Sequence, residues 1–376
     1  MDFAFSEEQE MLRRAARDFL AKECGSKYVR EQMAGGDGYD ARMWGRLVDL
    51  GWTALGIPEE YGGAGTFLDL VVVLEEAGRA LLPGPFFSTM GLAVPVFLEL
   101  GTPAQKKKVL GEIAAGTARA TVAFTEPSGR WDASGVSVVA SQSGDGWRLD
   151  GVKTFVPDAV AADYLVVPAR TRGEGEDGIT VFLVPRGHEG VEVRALETLD
   201  QTRRWGEVRF DGVRLGADAV MGSPHTAWPR LRRALDWSTA ALCAEMVGGA
   251  QKVLEMSTDY AKTRQQFGKP IGIYQAVSHK VADMLVLTES SKSATYYSAW
   301  AVDADAPDRS LAASMAKAYA SDAYRKVTGD AIQVHGGIGF TWEHDLHLYF
   351  KRAKSSEVTL GDATYHRELV AQALDL

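Results

Sequence analysis

The sequence predicts an α+β protein of several domains, ordered helical, then β, then helical. Three observations predict it. Residues 1–119 carry apolar side chains at helical spacing. Residues 120–227 are short β-branched runs separated by turn residues. From 228 to 376 the helical period returns in unusually long stretches. A chain of 376 residues is long enough for two or three such domains.

In the first part, Ser6 and Gln9 suit a capping box ahead of Met11, Leu12, Ala15, Ala16 and Leu20, which fall on one helix face. Residues 68–82 and 103–115 repeat the amphipathic pattern. Between the early helices, IPEEYGGAG (57–65) reads as a turn, with a proline and three glycines.

The β part starts near Thr121. VAFT, VSVVAS, WRLDGVKTFV, YLVVPA, ITVFLVP, VEVRAL and EVRFDGVRL are each short enough for a strand. Gly144–Asp145–Gly146 and Asp150–Gly151 supply turns. The pattern predicts an antiparallel barrel or sandwich of about seven or eight strands, ending near Gly222–Pro224.

In the last part, 230–263, 275–300, 308–334 and 363–374 read as helices. The first three carry apolar residues on more than one face. Such helices suit a bundle that also packs against another subunit.

Composition excludes several classes. The net charge is −9, which argues against a nucleic-acid or anionic-membrane surface. Lys106–Lys107–Lys108 is the one compact basic run and reads as a solvated helix face. Cys24 and Cys243 are too few and too far apart for a disulfide framework or a metal cluster. They suit a reducing, cytoplasmic setting. The N-terminal MDFAFSEEQE is acidic and lacks the order of a signal peptide. No uncharged apolar stretch approaches about 18 residues, so no membrane span is expected. His335, His344, His347 and His366 do not have the spacing of a standard metal site, and none is expected.

Two segments carry the chemistry. Residues 264–275 read RQQFGKPIGIYQ and 333–340 read QVHGGIGF. Arg264 offers a fork of donors to a pyrophosphate. Gly336 and Gly337 remove side chains where a phosphate or ring approaches bare backbone. A helix and not a strand precedes these glycines, so they are no Rossmann fingerprint. With IPEEYGG (57–63), Phe124-Thr125-Glu126-Pro127 and Lys153-Thr154-Phe155-Val156, the segments resemble the acyl-CoA dehydrogenase family of flavoproteins over nearly the whole chain.

The resemblance implies an N-terminal helical domain (1–119), a middle β domain (120–227) and a C-terminal four-helix bundle (228–376). It implies FAD bound at a subunit interface. The implied FAD contacts are Phe124, Thr125, Phe155 and Val156 in the β part. In the helical part they are Arg264, Gln266, Phe267, Gln275, Gln333, Val334, Gly336 and Gly337. In such enzymes a carboxylate removes the α-proton of an acyl-CoA thioester, and the β-hydrogen leaves as hydride to the flavin. An electron-transferring flavoprotein is the expected acceptor.

The sequence departs from that pattern at the chemistry. The usual catalytic glutamate falls on Leu360, and the alternative base position on Ser238, followed by Thr239 where an arginine engages CoA. Trp131 stands where a serine usually faces the phosphates. Pro157 stands where a hydroxyl residue bonds the flavin. The elements that reach a neighbour's FAD are intact. This asymmetry resembles steroid side-chain dehydrogenases in which two unlike chains form an α2β2 tetramer and only one supplies the base. Two alternatives stay open. One is a homo-oligomeric enzyme with a relocated base at Asp362, Glu357 or Glu245. The other is a scaffold subunit with no flavin role.

Overall fold

The computed structural model describes residues 5–35 and 39–376. The first four residues of the acidic N-terminal stretch lie outside them. The chain forms two compact units, described one at a time. One comprises Glu31–Leu70 and Pro83–Ser238 and holds the sheet. The other comprises Met1–Arg30, Val71–Leu82 and Thr239–Leu376 and is helical. The expected N-terminal stretch 1–119 thus contributes to both.

The sheet has eight strands: β1 (Ala120–Val122), β2 (Val139–Ser143), β3 (Gly146–Pro157), β4 (Tyr164–Arg170), β5 (Ile179–Pro185), β6 (Val191–Leu196), β7 (Trp205–Leu215) and β8 (Val220–Met221). Their order is β6-β7-β3-β2-β4-β5-β8, with β1 added on β4. Most neighbours are antiparallel; Gly144–Asp145 turns β2 into β3 as expected, whereas Asp150–Gly151 lies within β3 at a register shift and is not a turn. Two neighbours are not antiparallel: β1 runs parallel to β4, and β2 meets β4 in parallel at Val139 and Arg170. The reason is order. β2 lies between β3 and β4, so the strand after β3 runs in the same sense as β2. Val156, Leu165, Val167, Phe182, Val208 and Val213 belong to the buried core of this sheet.

The helices are α1 (Glu7–Glu23), α2 (Ser26–Ala34), α3 (Ala41–Asp49), α4 (Phe67–Ala80), α5 (Val94–Leu100), α6 (Pro103–Gln105), α7 (Gly111–Ala114), α8 (Trp228–Thr263), α9 (Gln275–Asp303), α10 (Arg309–His335), α11 (Leu346–Val358) and α12 (Ala363–Ala373). Ser6 caps α1 through the expected box: its Oγ accepts from the Gln9 amide at 3.2 Å, and Gln9 Oε1 accepts from the Ser6 amide at 3.1 Å. The 103–115 stretch is α6 and α7 joined by a π-helical segment, Lys106–Leu110. IPEEYGG holds a single 3-10 turn, Glu59–Tyr61.

Helix α11 was not among the helices expected from sequence. It buries Leu346, His347, Leu348, Tyr349, Arg352, Ala353 and Ser356, polar and apolar alike, so its periodicity is blurred. In the helical unit, α4 and α8 cross in backbone contact. A methyl on Gly78 would lie 2.0 Å from the Glu245 carbonyl oxygen, and one on Gly248 would lie 1.8 Å from that of Glu75. Two glycines set that spacing, since no larger residue fits. No helix among the described residues is long and apolar enough to cross a membrane.

Candidate functional site

In the helical unit, α8 ends at Thr263, and the amide of Ile271 donates to the Arg264 carbonyl at 2.8 Å. Between them Gln265–Gln266 pairs with Lys269–Pro270 as a small hairpin. Its turn is Phe267 (φ +54°) and Gly268 (φ +75°). Two successive positive φ values make a turn of the I′ kind, which favours Asn-Gly. A phenylalanine there is strained by about 1 kcal/mol. Its ring is 91 % exposed, with one edge contact to Tyr274 at 6.3 Å. Packing within this chain does not explain an aromatic held in that way, and strain of this kind gathers at ligand clamps.

Arg264 and Gln266 are exposed. The guanidinium of Arg264 has no hydrogen-bond or ion-pair partner among the described residues. Gln275 is exposed at the first position of the 29-residue α9, a terminus that no side chain caps. Its free amides favour an anion.

Helix α10 closes with exposed Gln333 and buried Val334, so Val334 offers a ligand backbone only. Gly336 has φ +62° and ψ −139°, a region for glycine alone. Gly337 has no such need. A methyl at either glycine would meet nothing within 4 Å. The space beside them is therefore open, and this chain's own packing does not require glycine at 337. A guanidinium without a partner among the described residues, helix-start amides, bare backbone and a presented aromatic are each groups of the kind that the pyrophosphate and rings of FAD would take.

The sheet unit gives a different picture. Glu126 and Lys153 form a buried ion pair at 2.7 Å. Glu126 also accepts from the amides of Ser137 and Val138. Burial pushes its carboxyl up, but Lys153 and these donors outweigh burial and hold it below the usual range. The pair ties Phe124 to β3, since Lys153 also donates to the Phe124 carbonyl at 3.2 Å. Phe155 sits on an irregularity of β3 between Lys153 and Val156, with φ +46° and 52 % exposure. Val156 is wholly buried: its side chain lies in the sheet core and it pairs with Gly206 of β7, so it offers no open surface. Thr125 is half-buried and accepts from the Thr154 amide at 2.8 Å. Pro157 is buried, and its carbonyl accepts from Thr121 Oγ1 at 2.7 Å. Phe124 is only 4 % exposed, with the indole of Trp131 stacked on it at 5.0 Å.

The two positions at which the resemblance expects a base, 360 and 238, carry a leucine and a serine and no carboxylate. Leu360 is buried, with φ +62°, in the turn between α11 and α12. His366 Nε2 donates to its carbonyl at 2.9 Å. Lys317 Nζ donates to Glu357 O at 3.0 Å, Gly361 O at 2.8 Å and Ser321 Oγ at 3.0 Å. Ser238 is buried and gives its hydroxyl to Ala234 O at 3.1 Å, within its own helix. Thr239 is buried too. Of the candidate carboxylates, Asp362 caps α12, accepting from the Tyr365 amide at 2.8 Å. Glu357 pairs with Lys354 at 2.8 Å and Arg325 at 3.3 Å. Glu245 is buried on α8. Burial pushes both thiols, Cys24 and Cys243, up to about 12, so neither is a nucleophile at neutral pH.

Sequence reasoning missed Lys317 and the Trp131–Phe124 stack. The signal for the first was a lone lysine in the small, apolar run AASMAKAYAS. No sequence signal announces the second.

Three family models match the chain. They are the acyl-CoA dehydrogenase N-terminal domain at 6–117, the middle domain at 121–213 and the C-terminal domain at 228–374. The acyl-CoA dehydrogenase IpdE2 of Mycolicibacterium smegmatis is 33 % identical over 358 residues, covering 95 % of each chain. Butyryl-CoA dehydrogenase of Megasphaera elsdenii superposes over 100 % of both chains with a TM-score of 0.93 and 28 % identity. A chain of the ChsE4–ChsE5 complex of Mycobacterium tuberculosis does so over 100 % of this chain and 99 % of its own. Its TM-score is 0.91 and its identity 29 %.

Proposed function

This chain belongs to the acyl-CoA dehydrogenase family, and from that premise we propose that it is the subunit without a base in a two-chain enzyme. It is an oxidoreductase of the acyl-CoA dehydrogenase type, and its cofactor is FAD. FAD, when bound, accepts the hydride that leaves the β-carbon of the thioester. In our reading the C-terminal segments of this chain complete the FAD site of a partner that bears the carboxylate. Arg264 takes the pyrophosphate. Gln266, Phe267, Gln275, Gln333, Gly336 and Gly337 line the approach, and Val334 contributes backbone. Phe124, Thr125, Phe155 and Val156 are the corresponding residues of the sheet part. The division at 119/120 and 227/228 into three domains goes with this reading, and the three family segments support it.

The observation that carries the proposal is Leu360. At the expected base position it is a buried hydrocarbon in a fixed turn, and Ser238 is spent on its own helix. The likeness to a chain from a complex of two named partners supports the assembly. A bulky thioester, such as a steroid side chain, is the substrate class the resemblance favours. An electron-transferring flavoprotein takes the electrons, and the setting is cytoplasmic.

The test is the visible spectrum and mass of the chain alone, beside the chain co-expressed with its genomic neighbour. A colourless chain that turns yellow and tetrameric with its partner is the expected result. A chain that is yellow alone, with one FAD each and ordinary dehydrogenase turnover, sinks the proposal. It would direct attention to Asp362, Glu357 and Glu245.

A further inference from the structure

Phe124 opens the Phe-Thr-Glu-Pro segment that would run along a flavin, yet its ring is already covered. The indole of Trp131 lies parallel to it, with centroids 5.0 Å apart and planes 8° from each other. Trp228 meets the same ring at 6.2 Å and 39°. Aromatic rings in offset or parallel contact bury large faces together. A face so covered is not offered to a cofactor.

Trp131 stands in a loop that is pinned on both sides. The guanidinium of Arg130 binds the Asp132 carboxylate at 2.8 Å, and Asp132 accepts from the Ser134 amide at 2.9 Å. Arg170 donates to the carbonyls of Ala133 and, at 3.2 Å, Val136. A methyl on Gly135 would lie 2.7 Å from the Arg130 carbonyl oxygen, so the loop is folded tightly back on itself. At the end of β3, Pro157 has no N–H, and its carbonyl is taken by Thr121. Phe155, by contrast, stays presented on the strained irregularity of β3. In the sheet part Phe155 is therefore left open while the ring of Phe124 is covered by the chain's own indoles.

We infer that Trp131 is a built-in plug. Its indole, stacked on Phe124, occupies the space in which the sheet half of a site would receive FAD. The chain therefore contributes the helical half-site alone. This inference rests on the two-chain reading above. It assigns the loss of the chain's own flavin to one side chain and not to a general decay of the site.

The experiment compares wild-type complex with complexes carrying Trp131→Ser and, separately, Trp131→Leu. FAD per chain is read by absorbance after gel filtration, with mass and thermal unfolding as fold controls. Trp131→Leu keeps an apolar anchor in the loop should serine fail to fold. The expected result is a rise from about one FAD per two chains to about one per chain, at unchanged mass. Folded variants that keep the wild-type FAD content overturn the inference. So does a Pro157→Thr complex that gains FAD when the Trp131 variants do not, because the obstacle then lies at the strand end. A wild-type complex that already holds one FAD per chain defeats the two-chain reading itself, which is a separable result.

Discussion

Lys317 supports the turn that follows Leu360: its ammonium donates to the carbonyl of Gly361 at 2.8 Å. The same ammonium also holds Glu357 O and Ser321 Oγ, so its three donors meet three acceptors. The turn is thus held firmly around Leu360, a residue that cannot take a proton.

This geometry has a pH signature. Burial lowers Lys317 from its ordinary 10.5 to about 8. A lysine lowered in the folded state releases its proton there first as pH rises. Between about 8 and 10.5 the unfolded chain binds more protons, so the penalty of the buried charge is relieved and stability rises. Lys317→Met removes that dependence. Urea unfolding from pH 7.5 to 10.5 should show the wild type gaining roughly 3 kcal/mol relative to the variant. Parallel curves would mean that the ammonium is not held as described.

Leu360 has a positive φ of +62°, which a side chain disfavours. Leu360→Gly and Leu360→Ala both remove the buried side chain, but only glycine relieves the backbone. Leu360→Gly should therefore be the more stable of the two by about 1 kcal/mol. Thermal or denaturant unfolding of the two variants decides it, and equal stability would show that the turn relaxes.

The buried pair of Glu126 and Lys153 ties the Phe124 segment to β3. Lys153→Met leaves a buried carboxylate without its counter-ion and should cost about 3–5 kcal/mol. Adding Glu126→Leu should recover much of that loss, since two apolar residues replace two charges. A double variant no better than the single would indicate that Glu126 is held mainly by Ser137 and Val138.

Arg264 is exposed and without a partner among the described residues. Arg264→Ala should leave the stability of the chain within about 0.5 kcal/mol. FAD affinity of the complex should fall about 10- to 100-fold, the loss expected for a charge-assisted bond to phosphate. Flavin fluorescence titration measures it. Unchanged affinity would favour the scaffold reading.

By itself the sequence determined the order of helical, β and helical parts, because apolar period and turn chemistry are local properties. It gave α1 with its cap, most strands, and α8, α9 and α10 to within a few residues at most ends. It also showed that position 360, where the resemblance expects a base, carries a leucine that cannot take a proton, since side-chain chemistry can be read from the letter alone. It did not reveal α11, whose polar residues are buried by tertiary packing, nor the parallel pairings of β4, which depend on strand order. Only the tertiary structure decided that Trp131 lies on Phe124, that Lys317 braces the turn after Leu360, and that the space beside Gly336 and Gly337 is open. Each of these joins or clears positions through folding, and local sequence carries no record of what comes to lie against a side chain.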